Sequence, residues 1–192
     1  NLDVTVDKVV GYRGHASFSG GTIAIQNYVP MWADMKAYFR IDGGVVHFDR
    51  IDLRTDGAES VVTGDADLAH WPEQTYQVRS RVHFPRMREI FFARETYSLY
   101  GDGDFTGTFH LYRGGRELKG DFTSEVAGVH AFRFPALRGS LIWLPDRFDV
   151  TDATSRFYGG TARFTYSMAP LGKPQPATAV FDAGYEDVDL AD

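Results

Sequence analysis

The sequence predicts an all-β protein built on a mostly antiparallel sheet, and three observations carry that expectation. Apolar and polar residues alternate strictly in run after run, which is the period of a half-buried strand. Between the runs stand Gly20-Gly21, Gly43-Gly44, Asp56-Gly57, Gly114-Gly115 and Gly159-Gly160, residues that supply the positive φ of tight hairpins; the last pair also fits a bulge inside a strand. Helical spacing is nearly absent, although 43% of the residues are hydrophobic and 15% aromatic.

The elements follow in chain order. Leu2-Asp3-Val4-Thr5-Val6 alternates from the start. Residues 31–37, behind Pro30, read as a turn of helix before the β-like Tyr38-Phe39-Arg40-Ile41. Val62, Gly64, Ala66 and Leu68 then oppose Thr63, Asp65 and Asp67, and Tyr76, Val78, Val82 and Phe84 oppose Gln77, Arg79, Arg81 and His83. Pro85, pre-organised for a first helical turn, opens the one clear helix, near 85–94, with Met87, Ile90 and Phe91 at helical spacing. Alternation resumes with Phe105, Phe109 and Leu111, with Leu118 and Phe122, and with Tyr158, Ala162, Phe164 and Tyr166. Residues 170–176 are a Pro/Gly loop. About ten to thirteen strands result, in a single unit over 1–192 with no dividing linker.

Composition removes several functions. The 20 Lys+Arg against 26 Asp+Glu give a charge of −6 with no basic run, which argues against nucleic acid. Zero cysteines remove disulfides, thiolate zinc sites and Cys nucleophiles together. His15, His47, His70, His83, His110 and His130 are scattered without metal-ligand spacing. Asp102-Gly103-Asp104 begins like a calcium loop, but the twelfth position is Arg113, not a bidentate Glu. Gly101-x-Gly103 is followed by Gly107, one residue late for a dinucleotide fingerprint, and there is no G-x-S-x-G elbow. Carboxylate pairs such as Asp49 and Asp52 are common on solvated strands. The expectation is a non-enzymatic chain with no metal and no cofactor. No apolar run approaches the roughly 20 residues of a membrane helix.

A one-sided apolar sheet must be covered. Residue patterning alone leaves two arrangements, a sandwich or barrel whose apolar faces meet, and an open trough whose apolar face meets a ligand. A faint repeat bears on this choice. Asp49-Arg50-Ile51-Asp52-Leu53 matches Asp146-Arg147-Phe148-Asp149-Val150, and Gly64-Asp65-Ala66-Asp67-Leu68 matches Gly160-Thr161-Ala162-Arg163-Phe164, giving weak units at about 39–84 and 136–170.

The stretch Phe39 to Leu68 runs from a Gly43-Gly44 strand through Asp49-Arg50-Ile51-Asp52-Leu53 to a Ser60-x-x-x-Gly64 strand. It resembles the repeating unit of the AsmA-like/TamB superfamily. Leu99-Tyr100-Gly101-Asp102-Gly103-Asp104-Phe105-Thr106-Gly107-Thr108-Phe109, just after the helix, is similar to that family's G-x-G-x-F-x-G step. Arg156-Phe157-Tyr158-Gly159-Gly160-Thr161-Ala162, running on to Val188-Asp189-Leu190-Ala191, is similar to its Tyr-Gly-Gly strand and the following helix entry. The resemblance covers most of 39–192 and implies an elongated, curved, taco-like open groove. This chain would be an internal segment of a longer protein, periplasmic and tethered to the inner membrane by a segment outside it.

The implied function is shelter of lipid acyl chains for phospholipid transport between the membranes, with support of outer-membrane assembly. Implied partners are a phospholipid or other acyl-chain ligand, and an outer-membrane barrel protein reached through other regions. The residues expected to line the groove are Val62, Ala66, Leu68, Tyr76, Val78, Val82, Phe84, Phe105, Phe109, Leu111, Leu118, Phe122, Tyr158, Phe164 and Tyr166. Gly64, Gly107, Gly120 and Gly160 fall in line with them, either to permit curvature or to leave room for a chain. Arg50, Arg79, Arg81, Arg138, Arg147 and Arg163 lie opposite, as a solvated outer face; a lesser reading puts arginines at the groove lip on lipid phosphates. The alternative function is a globular β-sandwich that binds carbohydrate or protein, with Trp32, Trp71 and Trp143 as stacking surfaces.

Overall fold

Residues 2–7, 11–25 and 28–189 are described by the structure, a computed structural model. Its strands are β1 (Leu2–Asp7), β2 (Gly11–Ile23), β3 (Met31–Asp42), β4 (Val45–Thr55), β5 (Ala58–Asp67), β6 (Gln74–His83), β7 (Leu99–Tyr100), β8 (Asp102–Tyr112), β9 (Gly115–Val129), β10 (Phe132–Trp143), β11 (Phe148–Phe157), β12 (Gly160–Ala169) and β13 (Thr178–Glu186). One helix, α1 (Phe84–Phe91), separates β6 from β7. All strands join one antiparallel sheet, ordered β1-β2-β3-β4-β5-β6-β8-β9-β10-β11-β12-β13, with the short β7 beside β9. Spatial order is therefore chain order, and the path runs from β1 to β13 without closing.

Turn chemistry explains the meander. Asp42 pairs with Val45 across Gly43 and Gly44, both at positive φ (56° and 86°), and Phe157 pairs with Gly160 across Tyr158 and Gly159, also both positive (41° and 76°). Two-residue loops of that conformation follow the right-handed twist of the strands they join. Three expectations need correction here. Gly20-Gly21 is a bulge inside β2, where the register shifts between Phe18 and Gly21 and the Gly20 N–H donates to Asp34 Oδ1 at 2.7 Å. The β8–β9 turn is Arg113-Gly114, one residue earlier than the glycine pair, because Tyr112 pairs with Gly115. Residues 31–37 are strand, not helix: Met31, Ala33 and Ala37 are buried at period two, and the run continues through Phe39 and Ile41.

The β5–β6 connection is fixed by Asp67, whose Oδ1 accepts the Ala69 and His70 N–H groups while Oδ2 accepts His70 Nδ1–H at 2.7 Å. That side-chain bond holds the Asp67 carboxyl below its ordinary pKa and His70 above its own. The His70 contribution is present below the ordinary histidine pKa and is lost as pH rises through the raised value. Asp67→Asn should return His70 to an ordinary titration midpoint, read from its ring proton shifts by NMR; an unchanged midpoint would contradict the bond.

The sheet is curled. Tyr28, in the connection between Ile23 and Met31, has its ring 6.4 Å from that of Trp143 on β10. Flat packing would separate β3 from β10 by six strand spacings, about 29 Å. A seven-residue connection that must return to its neighbouring strand reaches out only about 12 Å. Bending brings β10 to it. Burial agrees with a single folded layer. Among the described residues the largest fully buried side chains are Ile90 and Met168, while small alanines, among them Ala33, Ala37, Ala153 and Ala162, supply much of the buried set. Accessible surface is 12027 Å², against about 9,200 Å² for a compact monomer of this mass.

Candidate functional site: an apolar floor partly covered by a helix

Cross-strand partners share a face, so the register identifies the floor residue by residue. One row crosses eleven strands: Ala16, Ala37, Ile51, Val62, Val78, Gly107, Gly120, Leu141, Val150, Tyr166 and Phe181. The next row along the strands is Gly14, Phe39, Phe48, Gly64, Tyr76, Phe109, Leu118, Trp143, Phe148, Met168 and Ala179. Neither row contains a charge or a polar amide. A third row brings Phe18, Met35, Leu53, Phe105 and Phe122 into line, with Ser60 and Ser80 satisfying each other through an Oγ–Oγ bond of 2.7 Å.

Most of the predicted lining residues fall on this face. Val62, Val78 and Tyr166 lie in the first row, Tyr76, Phe109 and Leu118 in the second, and Phe105 and Phe122 in the third. Ala66 and Leu111 flank Gln74 one row further on, and Val82 lies one row beyond Ser80 in the other direction. Phe164 packs between Phe134 and Phe181, at 5.4 Å from each ring. Three expectations shift. Tyr158 sits in the β11–β12 turn, 54% exposed, since its φ of 41° belongs to the loop. Leu68 lies past the end of β5 and is 50% exposed. Phe84 opens α1, with its ring against Gly103. His130, which shares period-two spacing with Phe132 and Phe134, is an exposed turn residue at φ 53°.

At Gly64, Gly107, Gly120 and Gly160 the neighbouring strand's backbone stands where a Cβ would be, so these positions leave no room for a chain. A Cβ on Gly107 would stand 2.1 Å from the Lys119 carbonyl oxygen, and one on Gly120 2.3 Å from that of Thr106. At Gly64 the same atom would meet the Thr75 carbonyl at 2.3 Å, and the rings of Phe48 and Tyr76, two strands apart, close to 6.0 Å. Phe39, Phe48, Tyr76 and Phe109 thereby form a continuous aromatic run with centroid spacings of 6.0–6.4 Å.

The opposite face is polar, and many of its side chains pair with one another. Arg40 pairs with Asp49 at 2.9 Å, His47 with Asp65 at 2.6 Å, Arg54 with Glu59 at 3.2 Å and His83 with Asp102 at 2.7 Å. Arg50–Asp52 and Arg147–Asp149, corresponding positions of the two weak repeat units, each form the same ion pair two residues apart, both at 2.6 Å. Among the described residues no cluster of three His, Asp or Glu side chains is placed to hold a metal ion, and no helix is long and apolar enough to cross a membrane.

The floor is covered in part from within the chain, by segments whose role the sequence patterning did not bring out. Ile90 of α1, 1% exposed, packs over Gly57, and its carbonyl accepts the Val29 N–H at 3.1 Å. Beyond it, Phe91 stands edge-on to Trp143 at 4.7 Å, Phe92 stacks on Trp143 at 5.9 Å and meets Phe148 at 5.8 Å, and Tyr28 closes on Phe91 at 5.0 Å. The Arg116 guanidinium lies over the Tyr28 ring at 5.7 Å. Burial in this region pushes the Tyr166 hydroxyl up to about 12, with Glu95 adding to the shift, and raises Tyr97 further still. The Trp143 Nε1–H is buried without an acceptor. A local signal existed for Phe148, which stands between Arg147 and Asp149, but none for Trp143, which stands between Ile142 and Leu144. None existed for their meeting with Phe91 and Tyr28, which depends on the curl. Comparison with protein-family models, with curated proteins and with solved structures finds no match.

Proposed function

We propose that this chain is a non-enzymatic segment that shelters lipid acyl chains on its apolar face, as expected of the AsmA-like/TamB proteins its motifs resemble. Phospholipid movement across a periplasm is the process this would serve. The observation that carries the reading is the pair of uncharged rows that cross eleven consecutive strands on one side of an open sheet. Withdrawing one acyl CH₂ from water is worth about 0.8 kcal/mol, so a chain of about fifteen carbons needs on the order of 12 kcal/mol of shelter. Two rows without a charge supply it. Eleven strands at about 4.8 Å extend roughly 50 Å along the curve, longer than one extended lipid tail.

Mass spectrometry of the purified protein should find phospholipid or fatty acid in stoichiometric amount, released by organic extraction. A ligand-free monomer that also takes up no apolar dye would sink the reading. The second reading, a binding or adhesion module, draws on the exposed indoles of Trp32 and Trp71 (43% and 60%). It lacks the second sheet of a sandwich, because every described strand belongs to one sheet.

A further inference from the structure

The helix that enters the groove is poorly equipped to stand alone. It has eight residues, no side-chain N-cap bond and no acidic residue in its first turn, and helices of that length are marginal without tertiary support. Beside the buried Ile90, its support is a small set of polar tethers. Arg86 ion-pairs with Asp56 and Glu89, and Arg88 donates to the carbonyls of Glu95 and Tyr97. The Phe84 N–H holds the helix start to the Gly101 carbonyl at 3.0 Å. What this segment covers is continuous with the rest of the floor: Trp143 and Phe148 are direct partners of Leu118 and Met168 in the second row. Phe91 and Phe92 lie on these two residues as apolar groups of a ligand would. The arrangement leaves one donor unused, the buried Trp143 Nε1–H, and a buried unpaired donor is a rarity that calls for a reason.

We propose that residues 84–97 form a displaceable plug, in which Phe91 and Phe92 hold the floor over Trp143 and Phe148 until an acyl chain takes their place. The inference rests on the acyl-shelter reading and adds its regulation. The ligand that lifts the plug carries an acceptor oxygen next to its chain, an ester or carboxylate, and that oxygen receives the Trp143 indole N–H. The tethers at Arg86 set how much free lipid is needed. Phe84, fixed to Gly101, is the pivot.

The test uses indole quenching by a brominated acyl chain, which requires near contact. Trp32→Phe with Trp71→Phe leaves Trp143 as the single tryptophan of the three. In that background dibromostearate should quench Trp143 saturably. Phe91→Ala with Phe92→Ala should lower the half-saturating concentration at least tenfold. Asp56→Asn with Glu89→Gln, which cuts the tethers and leaves the floor intact, should lower it severalfold and serves as the deciding variant if the first does not melt cooperatively. Equilibrium dialysis with labelled stearate reports binding independently. Stearate bound while Trp143 stays unquenched, or half-saturation unchanged in the tether variant, overturns the plug and leaves the acyl-shelter reading standing. No stearate bound by any folded variant overturns both.

Discussion

Gly107→Val should destabilise the protein by about 3–5 kcal/mol, at the severe end of single substitutions. Gly107 and Gly120 face each other across β8 and β9, near the middle of the sheet. A Cβ at 107 would lie 2.1 Å from the Lys119 carbonyl oxygen and 2.8 Å from the Gly120 Cα. Both are backbone atoms, so neither yields by a rotamer change, and relief requires the two strands to part. Parting there divides the sheet between β8 with the strands before α1 and β9–β13 with β7. The clash belongs to the Cβ itself, so Gly107→Ala should cost nearly as much as valine. Gly43→Ala is the control: nothing lies within 4 Å of its Cβ and only the positive φ of 56° is penalised, about 1–2 kcal/mol. Urea unfolding of the three variants measures these costs. A Gly107→Ala protein as stable as the control would mean that the close approach of the two strands does not require glycine.

Phe109→Asp should abolish stearate binding while the protein still folds. Phe109 lies in the second row between Tyr76 and Leu118, half-buried, with its ring 6.4 Å from that of Tyr76. On an open floor the carboxylate keeps its water, and the loss is chiefly that of apolar contact, about 1–2 kcal/mol. An acyl chain laid over it must strip that water, at a cost of several kcal/mol, and each 1.4 kcal/mol is tenfold in affinity. Binding measured by dialysis should fall at least a hundredfold, with the urea midpoint only modestly lowered. A variant that cannot fold would mean that Phe109 belongs to a sealed core. Val78→Glu, in the adjacent row, provides an independent repeat of the test.

These outcomes depend on features that differ in how far local sequence could reveal them. Strict alternation is a local property, which is why β6 and the Phe105 to Leu111 run of β8 were legible down to the side each residue faces. Met31 to Ile41 held the same signal, but the Met31-Trp32-Ala33-Asp34-Met35 composition drew its start toward helix. Bulges break the count: between Phe18 and Gly21, and between Phe48 and Ile51, the phase shifts by an extra residue, so the faces of β2 and β4 could not be followed by period alone. Tyr158 continues the period of Phe164 and Tyr166 in sequence, yet the hairpin it belongs to removes it from the row. The cover over Trp143 joins residues from distant parts of the chain, positions 28, 91 and 143, and follows from curvature that no single strand encodes.

Strand order equal to chain order has a consequence for how the molecule assembles. Apart from the β6–β8 step that spans α1 and the short β7–β9 pair that spans β8, each ladder is closed by a short local connection, so the entropy of loop closure is met one hairpin at a time. Stability then approximates a sum of neighbouring hairpin terms, as in a linear repeat array, and unzipping from β1 or β13 removes one term without disturbing the far end. The contact of Tyr28 and Phe91 with Trp143 is the exception. It fastens early strands to late ones, so the same small aromatic cluster that covers the floor also turns a chain of independent hairpins into one cooperative unit.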